Sequence, residues 1–100
     1  MKTLAVVNIE GLKEAVVEFL RGENARIFLF GSRARGNHAA ASDADIGVIP
    51  GEGFHREKLA LLREFLEDLN IPFKVEIVDF SGVSEQFKRE ALKDAVPWKE

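Results

Sequence analysis

Two short apolar runs enclose a polar segment, and this arrangement constrains the fold more than any other part of the chain. Residues 25–30 (ARIFLF) and 44–49 (ADIGVI) are compact and apolar, and we predict that each forms a buried strand. The segment between them, GSRARGNHAAASD, begins with a Gly-Ser pair and ends in the first of two aspartates. Two strands joined through such a segment indicate a site for chemistry beside the sheet.

Helical periodicity on both sides of these strands completes the predicted order of elements. Asn8 and Ser84 are favourable N-caps, and Phe87 and Leu92 are the predicted buried residues of the last helix. The predicted elements are a helix over 8–21, a strand over 25–30, a helical turn over 32–35, a loop over 37–42, a strand over 44–49, a helix over 54–69, a strand over 73–80 and a helix over 84–94. Helices between strands favour an α/β (α+β) fold, in which a small mixed sheet carries helices mainly on one face.

Composition narrows the function classes. A chain of 100 residues suits a single domain spanning 1–100. A net charge of −3 argues against a general surface for nucleic acid, so we do not expect duplex DNA as a partner. The chain has no cysteine, which excludes thiolate metal sites. No apolar run approaches the roughly 18 residues of a membrane span. We therefore expect no membrane partner and a cytoplasmic location.

Carboxylates at the start of the second strand are the candidate metal ligands. Asp43 and Asp45 are two positions apart and share one face if the strand already begins there. Mg²⁺ prefers oxygen ligands, and a divalent cation relieves the repulsion between paired carboxylates. Glu76 and Asp79 on the third strand are candidates for a third ligand, and their odd spacing places them on opposite faces. The imperfect alternation there leaves the choice open, and a solvated strand start is the alternative for the aspartates.

The Gly31-Ser32 pair is the candidate phosphate-binding turn. Backbone amides at such a turn can receive phosphate oxygens, and the guanidinium groups of Arg33 and Arg35 can bind oxygens in a fork. Ordinary surface charge is the alternative for both arginines. The chain contains no GxxxxGK[ST] motif, so it is not a P-loop NTPase.

These motifs resemble a known family. GSRARG followed by SDADIGV resembles the signature of the minimal nucleotidyltransferases, small members of the DNA polymerase β superfamily, and KVEIVDF resembles the third strand of that family. The resemblance implies a nucleotidyltransferase (polymerase β palm-like) fold. It assigns Gly31 and Ser32 to the triphosphate, and it assigns metal binding and catalysis to Asp43, Asp45 and Glu76. The family usually has aspartate at the position of Glu76. For Asp79, capping of the turn at Ser81 and Gly82 is the favoured role.

The resemblance also implies the reaction and its participants. A site with two Mg²⁺ ions would bind a nucleoside triphosphate, ATP by analogy with the family, and transfer NMP to a hydroxyl group. The expected acceptor is a protein tyrosine or another hydroxyl on a helical HEPN-domain partner, as in toxin–antitoxin pairs. The alternative is a binding module that holds nucleotide, or neutralises the partner by contact, without turnover. Small domains of this kind commonly pair, so a homodimer is a further expectation, and Trp98 marks either a subunit contact or packing on the last helix.

Overall fold

The computed structural model describes residues 6–36 and 43–100, and the loop predicted over 37–42 lies outside them. The two strands around that segment and the short helix after the first strand have the predicted positions. The elements are α1 (Ile9–Phe19), β1 (Ala25–Phe30), α2 (Ser32–Arg35), β2 (Ala44–Pro50), α3 (Glu57–Asp68), β3 (Val75–Asp79), a 3₁₀ turn (Phe80–Gly82), α4 (Glu85–Lys93) and β4 (Val96–Lys99).

Within the described residues, four strands form one mixed sheet in the order β3-β2-β1-β4. β1 is antiparallel to both β2 and β4, whereas β2 and β3 run parallel. The predicted fold class is confirmed. β4 was not predicted, because it has only four residues and one of them is Pro97, which interrupts a strand pattern and is tolerated mainly at sheet edges.

The third helix begins three residues later than predicted. The backbone N–H of His55 donates to the Glu23 carboxylate at 3.0 Å, which ties this part of the chain to the loop before β1. The side chain of Asn24 donates to the Glu52 carbonyl at 3.0 Å in the same region. These contacts hold the segment before Glu57 outside the helix.

The main core lies between one face of the sheet and the helices α1 and α3. Leu12 and Val16 of α1 and Leu62 of α3 are fully buried there against Ile27 and Ile46 of the sheet. The apolar stripes of both helices face this core, as the helical spacing predicts. Trp98 is partly buried and also packs against this core.

The opposite face carries a smaller cluster of aromatic rings, formed by Phe28, Phe30 and Phe80. The ring of Phe28 lies across Gly47, where an added Cβ would stand 2.3 Å from the Phe28 ring. α4 covers this cluster only in part, and none of its residues is buried. The prediction that Phe87 and Leu92 are buried is wrong, because each remains 40% exposed.

Within residues 6–36 and 43–100, every helix is too short or too polar to cross a lipid bilayer.

Candidate active site

The pairing of β2 with β3 places Asp45 beside Glu76. The two residues are Cα partners in the parallel ladder, whereas Asp79 is paired with Val48. Ile46 and Ile77, the next residues on the two strands, are buried in the main core. Because successive side chains on a strand alternate between faces, Asp45 and Glu76 both project from the opposite face. The register therefore brings Glu76, and not Asp79, to the aspartate pair.

The carboxylates at this end of the sheet repel one another. Burial raises the pKa of Asp45 above its ordinary value of 3.8, and the negative charges of Glu76 and Asp43 raise it further. The positive charges of Arg35 and Lys74 oppose this shift without cancelling it. The site thus disfavours its own ionised form, as expected for carboxylates gathered before a cation arrives.

The chemistry of these donors suits a hard divalent cation. Asp43, Asp45 and Glu76 offer only oxygen atoms, which are the ligands that Mg²⁺ prefers. In the part of the chain that the structure describes, no three acidic or histidine side chains lie close enough together to form a ready-made ligand shell. The three residues therefore fit the cation in type, and Asp45 and Glu76 also share a face. β2 begins at Ala44, one residue after Asp43, so strand alternation does not place the Asp43 side chain on that face as predicted. Binding would require the three side chains to draw together.

Gly31 brings the predicted phosphate-binding turn into contact with Asp45. Its backbone has φ 80° and ψ −156°, a conformation that is essentially restricted to glycine. A Cβ at this position would stand 2.5 Å from Asp45 Oδ2, so a side chain here would displace the carboxylate. Ser32 follows as the first residue of α2, where the N–H groups of Ala34 and Arg35 donate to the Gly31 carbonyl. The Gly-Ser turn and the aspartates at the start of β2, which are the two halves of the sequence motif, therefore meet at this contact.

The two candidate arginines have different surroundings. Arg35 is exposed, and its charge acts on Asp45. Arg33 is partly buried, and its guanidinium carbon lies 4.4 Å from the centroid of the Phe73 ring in a cation–π contact. Arg35 therefore belongs to the carboxylate cluster by its electrostatics, whereas Arg33 is held by stacking just before β3.

Asp79 lies outside the carboxylate cluster and caps the 3₁₀ turn, as predicted. Its carboxylate accepts hydrogen bonds from the Ser81 N–H at 2.9 Å and from Arg56 Nη1 at 2.6 Å. Ser81 Oγ donates to Asp79 at 2.7 Å and also contacts Arg56. Burial alone would raise the pKa of Asp79, but the hydrogen bonds from Ser81 and the nearby Arg56 lower it below 3.8. Asp79 is thus an ionised cap of the 3₁₀ turn.

Sequence reasoning missed Lys74 as part of the carboxylate cluster. Its Nζ lies 3.9 Å from Glu76 Oε1, and its charge also acts on Asp45. Lys74 precedes Glu76 by two positions, so strand alternation could have placed both side chains on one face. No sequence pattern of this kind indicates that Phe73 stacks on Arg33, because that contact depends on how α2 approaches β3.

Comparison with known proteins agrees with this architecture. The profile of the family described as polymerase beta, nucleotidyltransferase matches residues 14–97. A Haemophilus influenzae protein assigned as the protein adenylyltransferase MntA is 25% identical over 91 residues, which cover 88% of this chain and 80% of that protein.

Solved structures share the fold, and two of them illustrate the degree of similarity to this chain. A protein assigned to the minimal nucleotidyltransferases has a TM-score of 0.71 and 31% identity, covering 89% of this chain and 91% of its own. A chain in the complex of tri-AMPylated Shewanella oneidensis HEPN toxin with MNT antitoxin has a TM-score of 0.59 and 19% identity, covering 86% of this chain and 67% of its own.

The fold and the matched residues define a nucleotidyltransferase. The chain belongs to the polymerase beta nucleotidyltransferase family, as one of its minimal members. The resemblance seen in the sequence and the palm-like fold that it implied are therefore confirmed.

Proposed function

We propose that this nucleotidyltransferase transfers AMP from Mg²⁺-bound ATP to a hydroxyl group on a partner protein. The observation that carries the proposal is the contact between Gly31 and Asp45, with Glu76 beside them in register. A turn suited to phosphate and a row of carboxylates suited to a cation meet at one point. The names of two similar proteins, an adenylyltransferase and the antitoxin partner of an AMPylated toxin, support AMP as the transferred group.

Each proposed site residue has a role that follows from its position. Gly31 and Ser32 receive the triphosphate through the turn beside Asp45. Arg35 adds positive charge at the carboxylates, and Arg33 offers a guanidinium held against Phe73. Both arginines are proposed to bind phosphate oxygens in a fork.

The remaining residues of the proposed site act on the cation and on the acceptor. Asp43, Asp45 and Glu76 would hold the cation in a site for two Mg²⁺ ions, which supply charge neutralisation at the phosphates when bound. Glu76 lies at the outer strand of the pair and is proposed to accept the proton of the attacking hydroxyl. In this reaction the hydroxyl oxygen bonds to the α-phosphorus, the bond from the α-phosphorus to the bridging oxygen breaks, and pyrophosphate leaves.

The proposed acceptor is a tyrosine or another hydroxyl on a helical HEPN-domain protein. The Shewanella complex supports this choice, since there an MNT antitoxin is bound to a HEPN toxin that carries AMP. We further propose that the protein works in the cytoplasm, with its HEPN partner, as the antitoxin of a toxin–antitoxin pair. A homodimer of the unpartnered protein belongs to the same proposal, and light scattering of the purified chain measures it.

A second candidate function is nucleotide binding, or inhibition of the partner by contact, without turnover. Glu76 favours this alternative, because it stands where the family usually has aspartate and forms an ion pair with Lys74 at 3.9 Å. A carboxylate that is longer by one methylene and is shared with a lysine is less firmly placed to accept a proton. Transfer and binding must therefore be measured separately.

The test is incubation of the protein with ATP labelled at the α-phosphate, Mg²⁺ and a candidate HEPN-domain protein. We expect label on the partner with the wild type and none with the double variant Asp43→Asn/Asp45→Asn. Asp79→Asn is the matched control, because it changes a carboxylate outside the cluster. Transfer by the double variant at the wild-type level, or no transfer by the wild type, would remove the enzymatic proposal. Calorimetric titration with Mg²⁺-ATP then measures whether the protein binds nucleotide in the absence of transfer.

A further inference from the structure

Phe87 is an exposed aromatic ring on the face of the sheet that carries the carboxylates. It lies in the first turn of α4 and retains 40% of its accessible surface, although the helical pattern predicts burial. The Phe87 ring contacts the small aromatic cluster, with its centroid 6.0 Å from that of Phe30 and 5.6 Å from that of Phe80. One part of the ring is therefore packed, and the rest faces outward.

The aromatic cluster adjoins the proposed active site directly. Phe30 is the Cα partner of Asp45 in the antiparallel pair of β1 and β2, so the two side chains share a face and lie side by side. Phe30 also precedes Gly31, the residue that contacts Asp45. The Phe87 ring contacts Phe30, so one side chain, that of Phe30, connects it to the place where the triphosphate is proposed to bind.

The position of Phe87 is fixed before any ligand arrives. Its backbone N–H donates to Ser84 Oγ at 3.1 Å, which anchors the residue in the capped first turn of α4. The Phe30 ring meets it nearly edge to face, at an interplanar angle of 89°. A ring held in this way loses little conformational freedom when a second flat group stacks on it.

We infer that the nucleobase of the bound nucleoside triphosphate stacks on the exposed part of Phe87. The inference rests on the proposed function, since it assumes that the triphosphate lies at Gly31 and the carboxylates. The base is the one flat, aromatic portion of such a substrate, and every base has a π-face that can stack on an aromatic side chain. Phe87 would therefore set affinity for nucleotides without selecting strongly among them.

The test compares two ligands, Mg²⁺-ATP and Mg²⁺-tripolyphosphate, which differ in the nucleoside. Calorimetric titrations are made with the wild type, Phe87→Leu and Phe87→Trp. Phe87→Leu removes the ring but keeps a large apolar side chain, so an apolar contact with the aromatic cluster can remain. We expect it to weaken ATP binding about ten-fold and to change tripolyphosphate binding less than two-fold. Phe87→Trp should bind ATP at least as tightly as the wild type.

Leu92→Ala is the matched control, because Leu92 lies on the same helix and is also 40% exposed. It should leave the affinity for both ligands unchanged. Unchanged ATP binding by Phe87→Leu, or equal weakening of both ligands, would overturn the stacking role and leave the proposed function intact. Loss of transfer to the partner at unchanged ATP affinity would likewise overturn the stacking role. It would indicate that Phe87 contacts the partner protein instead. A wild type that binds neither ligand would instead remove the proposed function itself.

Discussion

Asp45 and Asp79 have the same side chain on neighbouring strands, yet their surroundings move their pKa values in opposite directions. Asp79 accepts hydrogen bonds from Ser81 and Arg56, which lower its pKa. Asp45 is partly buried beside the like charges of Glu76 and Asp43, and its pKa is raised. One carboxylate has its partners within the fold, whereas the other would be stabilised by a cation from outside.

This difference separates a structural acid, Asp79, from the acid that we propose to be functional, Asp45. A carboxylate that caps a turn contributes to stability, and selection for folding alone explains its presence. A cluster whose members raise one another's free energy has no such explanation, because folding would be favoured by neutral residues there. We therefore expect opposite outcomes at the two positions, with activity sensitive to Asp45 and stability sensitive to Asp79.

Asp45→Asn should reduce transfer more than the other substitutions proposed below. Replacing the carboxylate removes a ligand for the cation, and we expect the rate of AMP transfer to fall by about 10³-fold. The free energy of unfolding at pH 7 should stay level or rise slightly, because the raised pKa means that the ionised carboxylate disfavours the fold. Label transfer and urea unfolding measure the two quantities. A variant that is both active and unstable would contradict the assignment.

Glu76→Gln tests the role of the carboxylate that β3 contributes to the cluster. We expect a loss of about 10²-fold in transfer, because the amide cannot accept the proton of the attacking hydroxyl. Glu76→Asp, which restores the residue usual in the family, should retain transfer within about ten-fold. Single-turnover label transfer separates these rates. If Glu76→Gln were fully active while Asp79→Asn were inactive, the third carboxylate would be Asp79.

Gly31→Ala tests the contact that joins the two halves of the site. The alanine Cβ would meet Asp45 Oδ2 at 2.5 Å, and φ 80° is strained for any residue but glycine. We expect a loss of about 1–3 kcal/mol in the free energy of unfolding and a loss of about ten-fold or more in transfer. Gly36→Ala is the control, because its φ of 81° is similar but no atom lies within 4 Å of its added Cβ. Gly36→Ala should lower the free energy of unfolding and leave transfer unchanged.

The sequence predicted the elements with strong local signals. β1 and α2 have the predicted bounds, because the apolar run and the Gly-Ser turn that follows it are sharply delimited. β4 was missed, because its strand conformation depends on pairing with β1 and not on the propensity of its own four residues. Local patterns therefore identified what the chain prefers by itself, and long-range pairing determined the rest.

The candidate site shows the same division. Strand alternation alone allowed either Glu76 or Asp79 to join the aspartates, and the pairing of β3 with β2 was needed to bring Glu76 to Asp45. Phe87 was predicted to be buried, because helical periodicity marks an apolar face but does not show whether anything covers it. The close approach of Gly31 to Asp45 is likewise a tertiary contact, although the spacing of the motif pointed to it.

Asp79→Ala tests the structural role of the carboxylate that caps the 3₁₀ turn. Loss of the cap and of the Arg56 pair should lower the free energy of unfolding by about 1–2 kcal/mol at pH 7 and leave transfer nearly unchanged. Because the folded pKa lies below 3.8, the contribution of Asp79 is complete above that pH and is lost as the pH falls through the folded pKa.

Urea unfolding of the wild type and of Asp79→Ala between pH 7 and pH 3 measures this difference. The two stability curves should run parallel from pH 7 to about pH 5 and converge below about pH 4. Asp45→Asn should instead gain stability relative to the wild type as the pH rises above 3.8. The substitution removes the free-energy cost of the ionised Asp45 carboxylate, and that cost grows with pH in this range. Curves for Asp79→Ala that converged at high pH instead would show that its charge disfavours the fold, and the distinction between the two aspartates would fail.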